Sequence, residues 1–317
     1  MRKDYLLLKD ISLKDERFRI SHFFSLDKLL LSIKKVGLIN PPMVVFRDSQ
    51  YIIASGWKRV FACQKLKWKR IPVYILNEQD DKEIFIKILY ENLALREYTL
   101  LEKAEILLKL KKFRVEEREL IQTYLPLLGI PPAARFLEKY LAISKVKKEI
   151  KKIIHERNMS FVAVCLLLKF ESKEMLFLIP LLKPLGQNKQ KELLEDLYEL
   201  CQRNRISAKD ILQLKDIQRI QKDEKLSHIQ KAERIRLIIK RKRYPTVFRW
   251  ADAFQERLKK ISWPDEITIK PAPFFESEHL FLSFSFKTRD EFLDKLQKLQ
   301  AVAQKKEFSE ILTHFNG

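Results

Sequence analysis

The residues best suited to chemistry lie in a short segment around one glycine. Gly56 follows a run of β-type residues, Tyr51–Ala54, and precedes Lys58 and Arg59. A glycine between a strand and the basic start of a helix lets backbone N–H groups approach an anion, and the two cations add positive charge there. The spacing therefore predicts a small phosphate-binding site.

A second polar pair follows further along the chain. Glu91 carries a carboxylate of the kind that binds a hard divalent cation, and Asn92 stands beside it. Each residue also has a simpler structural interpretation. Glu91 could form a salt bridge with Arg59, Asn92 could cap the following turn, and Lys58 could be an ordinary solvated lysine. The sequence leaves these alternatives open.

The elements that must position these residues are short strands and amphipathic helices. Hydrophobic periodicity and turn residues predict a helix over Leu26–Val36, strands over Met43–Phe46, Tyr51–Ala54 and Ile71–Leu76, a helix from Gly56 to near Lys67, and a helix over Asp80–Tyr90. We therefore expect a small mixed α/β domain over residues 1–97.

Two ordered blocks of residues resemble the ParB/sulfiredoxin-like superfamily, and within it the ParB-type chromosome and plasmid partitioning proteins. The first block contains Gly37, Leu38, Pro41, Tyr51, Gly56, Arg59, Ala62, Leu66, Trp68, Ile71, Pro72 and Val73. The second contains Glu91, Asn92, Leu93, Arg96, Glu102 and Ala104. The close resemblance covers residues 1–105.

This resemblance implies a nucleotide site that holds CTP with Mg²⁺. Carried over position by position, it implies nucleotide contacts from Asn40, Gly56, Lys58, Arg59, Glu91, Asn92 and Arg96, with Glu91 and Asn92 also at the metal. The chain departs from the family at Trp57, where an acidic residue is usual, at Lys58, where an arginine is usual, and at Ala94-Leu95, where Gln-Arg is usual. The base that is bound and its turnover therefore stay open.

The same residues bear on enzymatic activity. Sulfiredoxins resemble this segment but place a nucleophilic cysteine where this chain has Trp57, so sulfinic-acid reduction is disfavoured. No cluster of acidic metal ligands supports a nuclease, and the catalytic glutamate of the free-serine kinase branch has no match by motif. Weak CTP hydrolysis stays open, as does a small-molecule phosphotransferase.

From Thr99 the pattern becomes helical. Thr99 and Glu102 have the spacing of a capping box. A predicted helix over Glu116–Leu127, a turn at Gly129, and a helix that starts at Pro131-Pro132 and runs through Ala142 together favour a helix-turn-helix. The resemblance places such a DNA-binding unit directly after the second block, so we expect a helical DNA-binding domain over residues 98–244. Its expected DNA contacts are Arg135, Lys139 and Lys145, for which ordinary surface charge is the alternative.

Charge supports double-stranded DNA as the partner. The formal net charge is +21, and residues 201–250 alone contain fifteen basic and five acidic residues. The dense end of this segment contains Arg241, Lys242 and Arg243, which we expect to contact phosphates. A solvated helix C-terminus that suits the helix dipole is the alternative.

The last part of the chain, residues 245–317, predicts an α-β-β-α unit. Its elements are a helix over Thr246–Ile261, strands over Glu266–Pro271 and His279–Phe286, and a helix over Thr288–Gln304. A two-stranded sheet needs a partner surface, so we expect this unit to dimerise or to pack on the preceding helices. The predicted fold class is α+β, with a ParB/sulfiredoxin-like N-terminal domain, a helical middle and this small C-terminal unit.

Other features bear on where in the cell the protein acts and on which partners it binds. No run of eighteen apolar residues predicts a membrane span, and three scattered cysteines fit a reducing cytoplasm, so a cytoplasmic, nucleoid-associated protein is expected. The start of the chain lacks the Leu-Gly-x-Gly-Leu leader of many partitioning proteins that stimulate a ParA-type ATPase, which makes that partner less favoured. The first hypothesis is a ParB-like, CTP-regulated dimeric clamp on DNA. The second is a nucleotide-independent transcription regulator or nucleoid-associated protein.

Overall fold

The structure, a computed structural model, describes residues 1–277 and 279–313. The chain divides into two units, Met1–Tyr198 and Glu199–Gly317, and each is described by itself. The predicted domain boundaries after residues 97 and 244 stay predictions. Residues 278 and 314–317 of the predicted C-terminal domain lie outside the described residues.

The first unit contains a five-stranded mixed sheet. Its strands are β1 (Arg2–Leu7), β2 (Ile11–Ser12), β3 (Met43–Arg47), β4 (Gln50–Ser55) and β5 (Arg70–Leu76), in the spatial order β1-β5-β3-β4-β2. β3 pairs antiparallel with β4 and parallel with β5, while β1 pairs antiparallel with β5. The predicted strands β3, β4 and β5 are confirmed, whereas the sequence interpretation missed both edge strands.

The β3–β4 hairpin turns at Asp48 and Ser49, which have φ values of 50° and 64°. Positive φ at both central positions matches the right-handed twist of paired strands, and Asp is among the residues that tolerate it. One face of the sheet packs on the helix that follows β4, through a core that includes Val44, Ile53 and Val60. This packing fixes the direction in which the chain leaves β4.

The rest of the first unit, up to Tyr198, consists mainly of helices. They are α1 (Asp27–Val36), α2 (Trp57–Lys65), α3 (Asp81–Leu93), α4 (Leu100–Lys112), α5 (Glu117–Glu119), α6 (Leu125–Leu127), α7 (Ala134–Lys145), α8 (Lys148–Glu156), α9 (Phe161–Leu167), α10 (Ser172–Leu182) and α11 (Gln187–Asn204), and the division falls inside α11. A π-helical turn, Leu120–Tyr124, joins α5 to α6.

The capping box at the start of α4 is confirmed, since Thr99 and Glu102 cap each other's backbone N–H groups. The predicted helix-turn-helix is present as the 117–127 helical segment, a turn at Gly129 and α7. The predicted start of the second helix is wrong. Pro131 and Pro132 lie in the turn, and α7 begins at Ala134 after an extended Ala133. Ile130 and Pro131 each precede a proline, which disfavours helical geometry at both positions and opposes a helix that starts there.

The second unit continues with helices and ends in the predicted α-β-β-α order. Its elements after α11 are α12 (Ala208–Leu212), α13 (Lys215–Lys222), α14 (His228–Arg243), α15 (Pro245–Lys260), β6 (Thr268–Pro271), β7 (Leu280–Ser283), α16 (Arg289–Ala303) and α17 (Lys306–Thr313). β6 and β7 pair antiparallel as a separate two-stranded sheet. The predicted fold class is thereby confirmed. Within the described ranges, every helix is too short or too polar to cross a lipid bilayer.

Candidate functional site

A cavity of about 290 Å³ opens where β4 ends and α2 begins. Three parts of the chain meet there: the β4–α2 turn, the irregular segment before α1, and the end of α3. The residues that line the cavity include Phe18, Ile20, Ser21, Gly56, Trp57, Lys58, Arg59, Asn92 and Arg96. Five of the seven predicted nucleotide-binding residues therefore line one cavity.

Gly56 is required at the turn for two reasons. Its φ of 93° and ψ of 24° place it in the left-handed region, and it is the N-cap of α2 with no side-chain cap. A Cβ atom at this position would lie 2.8 Å from Cβ and 2.9 Å from Cα of Pro42. Because the first N–H groups of a helix have no partner within the helix, the start of α2 presents free donors beside the cavity.

Arg59 turns back toward the start of its own helix. Its Nη1 donates a hydrogen bond to the Pro41 carbonyl at 3.0 Å. Burial lowers the pKa of the Arg59 guanidinium, while the Glu91 carboxylate acts in the opposite direction. No ion pair joins Arg59 to Glu91 in the described part of the chain, so the predicted salt-bridge alternative is not realised. Arg59 is therefore a partly buried cation that lines the cavity.

Trp57 lies in the core beside the cavity, with 6% of its surface exposed. The guanidinium of Arg19 covers its ring at 5.0 Å from the centroid and also covers Phe61 at 5.2 Å. Its indole Nε1–H is buried and has no hydrogen-bond partner. A buried donor without a partner costs free energy, so this N–H favours a polar ligand. Lys58 is exposed, and its Nζ lies 5.4 Å from the Phe24 centroid.

Arg96 lines the cavity but is bound to a carboxylate. Its Nη1 and Nη2 donate to the two carboxylate oxygens of Glu102 at 2.8 and 2.9 Å. The hydroxyl of Ser21 also donates to Glu102, and so does the backbone N–H of Thr99. Burial alone would raise the pKa of Glu102, but the hydrogen bonds from Arg96, Ser21 and Thr99 outweigh it and lower the pKa to about 2.

The predicted metal ligands are adjacent but face different spaces. Asn92 lines the cavity and donates its side-chain N–H to the Ile88 carbonyl at 2.8 Å, which leaves its amide oxygen to accept or to ligate. Glu91 lines a neighbouring cavity of about 420 Å³, and Ile88 lines both cavities. Each is an oxygen donor of the kind that Mg²⁺ prefers, but the two side chains line different cavities and do not form one ligand pair. Among residues 1–277 and 279–313, no group of three or more His, Cys, Asp or Glu side chains has the arrangement of a metal site.

Asn40 stands apart from the other predicted nucleotide contacts. It is exposed and is not among the residues that line the cavity. Its role as a nucleotide ligand stays a prediction.

The predicted DNA contacts on α7 are exposed. Arg135 and Lys139 are four positions apart, which places them on one face of the helix, and Lys145 is its last residue. Arg135 lies 5.1 Å from the Phe136 centroid and Lys139 lies 6.0 Å from that of Phe161. Neither side chain forms an ion pair with another described residue, so both charges are free to meet phosphates.

The predicted basic cluster at the end of α14 is already paired with carboxylates. Arg241 contacts Asp252 at 3.3 Å, and Lys242 contacts Asp216 at 3.0 Å. Arg243 contacts Glu199 at 2.5 Å and lies over the Tyr244 ring. DNA phosphates would have to compete with these carboxylates.

Sequence reasoning missed Phe18, Ile20 and Ser21, which line the cavity, and Arg19, which covers the ring of Trp57. They lie in an irregular segment, which has no periodicity to place it against α2. A basic residue beside an aromatic one, Phe18-Arg19, is a signal too common to identify a site.

Comparison with known proteins agrees with the geometry of this domain. Residues 14–93 match the ParB N-terminal domain family. The nucleoid occlusion protein of Bacillus cereus (strain B4264) is 30% identical over 136 residues, which are 43% of this chain and 45% of that protein. The corresponding protein of Bacillus thuringiensis (strain Al Hakam) is 29% identical over the same share. The chain thus spans less than half the length of the curated relatives it matches.

Solved structures give a weaker likeness. A C-terminally truncated ParB from Caulobacter crescentus, complexed to the centromeric parS site, is 14% identical and covers 61% of this chain and 98% of its own, with a TM-score of 0.33. A complex of the same organism's ParB with CTP-γ-S is 16% identical and covers 56% of this chain and 99% of its own, with a TM-score of 0.28.

The fold and the Gly56 turn define the class of protein: one with a mixed α/β domain that has a cavity at the start of a helix carrying basic residues. Within that class, residues 14–93 are similar to the ParB N-terminal domain.

Proposed function

We propose that this chain is a ParB-like DNA-binding protein whose N-terminal cavity binds a nucleoside triphosphate, CTP with Mg²⁺. The observation that carries the proposal is the start of α2. There an uncapped helix N-terminus and the partly buried Arg59 border one cavity, which is also lined by Trp57, whose indole N–H is buried without a partner. Helix N-termini with free N–H groups attract phosphates, and a nearby cation strengthens the attraction.

Each residue has a role in this proposal. The backbone N–H groups after Gly56 hold phosphate oxygens, and Arg59 neutralises their charge from within. Lys58 does the same from the exposed side. We infer that Asn92 offers its oxygen to Mg²⁺ within the cavity and that Glu91 turns from the neighbouring cavity to join it; the ion when bound neutralises the phosphate tail. The choice of cytosine rests on the family resemblance alone.

The DNA half of the proposal rests on α7. An exposed helix with two free cations, preceded by a helix and a glycine turn, is the arrangement that enters a major groove. A second copy of the chain would join through the C-terminal α-β-β-α unit, and two-fold dimers suit palindromic sites. Nucleoid association follows from DNA binding. A ParA-type partner and CTP hydrolysis stay predictions.

The test is titration of the full chain with CTP, ATP, GTP and UTP in the presence of Mg²⁺, with and without duplex DNA. We expect CTP to bind and Arg59→Ala to abolish binding, because a cation that faces the phosphates is removed. Lys34→Ala, an exposed lysine near the end of α1, is the control and should bind CTP normally. If CTP fails to bind the unaltered protein at low salt, the nucleotide part of the proposal is wrong.

One observation favours the second candidate, a nucleotide-independent DNA-binding regulator. The guanidinium of Arg96 is already bound to Glu102, and Glu91 faces the neighbouring cavity. That candidate predicts that Arg59→Ala leaves DNA affinity and its salt dependence unchanged, whether or not CTP is present. DNA titrations of the Arg59→Ala variant, with and without CTP, therefore distinguish the two candidates. A phosphotransferase would instead show phosphate transfer to a small acceptor without DNA.

A further inference from the structure

Glu102 takes part in two sets of hydrogen bonds. It completes the capping box of α4, where it accepts from the N–H of Thr99 at 3.0 Å. It also holds both terminal nitrogens of Arg96, which lines the candidate nucleotide cavity. The first turn of α4 and the candidate nucleotide cavity thus share the carboxylate of Glu102.

This shared carboxylate is largely removed from water. Its side chain is 10% exposed, whereas that of Arg96 is 38% exposed. A bidentate guanidinium–carboxylate pair in such surroundings is strong, and here it occupies the edge of Arg96 formed by Nη1 and Nη2, so a ligand that binds this edge must displace Glu102. A phosphate group offers the same planar match to Arg96.

We propose that an anionic ligand in the cavity and Glu102 compete for Arg96, so that ligand binding releases the start of α4. This inference rests on the proposed function, since it takes the phosphate tail of the nucleotide as the competing anion. When Arg96 turns to the ligand, Glu102 keeps Ser21 and Thr99 but loses its charged partner. The first turn of α4 and the segment around Ser21 then loosen together. Ligand binding in the cavity thereby changes the stability of the start of α4.

The competition predicts that Glu102 lowers the affinity of the cavity for its anionic ligand. Glu102→Gln keeps a cap acceptor but removes the charge that engages Arg96, so affinity for a triphosphate should rise by about fivefold or more. The matched control is Glu105→Gln. It is the same change one turn later in α4, and it breaks a similarly buried pair with Lys109 at 3.5 Å that does not involve Arg96. Affinity in the control should stay within about twofold of the unaltered protein.

A double-mutant cycle identifies Arg96 as the mediator. In an Arg96→Gln background the added Glu102→Gln change should have no effect on affinity, because no guanidinium remains to be shared. A purely structural role for Glu102 would give the same change in both backgrounds. The titrations use CTP with Mg²⁺ and, separately, inorganic tripolyphosphate, which has the phosphate tail without a nucleoside.

Hydrogen exchange on the unaltered protein tests the release without any substitution. Either anion at saturation should speed exchange at the amides of Thr99 to Lys103, although bound ligands usually slow exchange. If the Glu102→Gln variant binds no more tightly, or if exchange in that turn is slowed or unchanged, the inference is overturned.

The two proposals fail separately. Binding of tripolyphosphate but not of CTP would overturn the nucleotide function, and the cycle would still be measured with tripolyphosphate. Binding of neither anion would overturn both proposals. Binding of CTP with no coupling to Glu102 would overturn the inference alone.

Discussion

The indole N–H of Trp57 is the polar atom at the cavity whose situation is least favourable in the ligand-free protein. It is buried and has no partner, although Trp57 is otherwise packed in the core and covered by Arg19. The family resemblance implies an acidic residue at this position, and an acid beside Arg59 would repel phosphate. We expect the indole N–H to become a further donor once a ligand occupies the cavity.

Trp57→Phe should therefore change stability and affinity in opposite directions. Loss of an unpartnered buried N–H should raise the free energy of unfolding by about 1 kcal/mol, less the cost of the smaller ring. Affinity for CTP should fall, because one donor to the ligand is gone. Urea unfolding and CTP titration measure the two effects.

Trp263 provides the matched control for this substitution. Its Nε1–H donates to the Ile267 carbonyl at 2.5 Å, so Trp263→Phe removes a donor that has a partner. That variant should be destabilised by about 1 kcal/mol and should bind CTP normally. Equal destabilisation of both variants would show that the Trp57 N–H is satisfied in solution.

Gly56→Ala tests whether the turn depends on glycine. The positive φ and the approach to Pro42 both oppose a Cβ, so we expect a loss of about 1–3 kcal/mol in the free energy of unfolding and a loss of CTP binding. Gly37→Ala separates the two causes, because Gly37 has a φ of 76° but nothing within 4 Å of an added Cβ. A Gly56→Ala variant no less stable than Gly37→Ala would contradict the close approach.

At the scale of elements, α4 depends on an ionised Glu102. Because the pKa of Glu102 is lowered to about 2 from 4.5, its contribution is present above about pH 4.5 and is lost as the pH falls toward 2. Glu102→Gln should cost on the order of 3 kcal/mol at neutral pH, and the stability difference from the unaltered protein should shrink below pH 4.5. Urea unfolding at several pH values measures it. A difference that stays constant down to about pH 3 would contradict the lowered pKa.

The α7 helix should carry more of the DNA affinity than the end of α14. Arg135→Gln and Lys139→Gln should each weaken binding and reduce the slope of log affinity against log salt by about 1, because each removes one phosphate contact. Arg241→Gln should have a smaller effect, since Arg241 is paired with Asp252. Binding of labelled duplex across a salt series provides the measurement. An equal loss for Arg241→Gln would show that the pair opens on DNA.

Local signals were the part of the fold that the sequence could predict. The Gly56 turn, the Thr99–Glu102 capping box and the β3–β4 hairpin each depend on residues a few positions apart, and all three are present. β1 was missed because it is specified by pairing with β5, far along the chain. Arg96 was expected at the nucleotide, but nothing in the sequence indicates that Glu102 reaches it. Long-range partners of this kind are set by packing and not by spacing.

At the scale of the whole molecule, the C-terminal unit leaves apolar side chains in water. Phe281 and Leu282 on β7 are 58% and 49% exposed, and Phe286, Leu293 and Leu296 are exposed nearby in sequence. A two-stranded sheet with an apolar strand open on its faces is rarely stable alone, and a second copy of the same strand would cover it symmetrically. This supports the proposal that the chain dimerises through β7.

Leu282→Asp should therefore convert a dimer into a monomer. The new carboxylate would be placed at the proposed interface, and burying it without a partner would cost far more than the leucine contact contributes. Sedimentation velocity over a range of concentrations measures the state, and DNA affinity for a two-site duplex should fall with it because two linked modules bind far more tightly than one. Leu31→Asp is the control, since Leu31 on α1 is 70% exposed and lies outside this unit. If Leu282→Asp stays dimeric while Leu31→Asp becomes monomeric, the interface lies in the first unit and the role assigned to β7 is wrong.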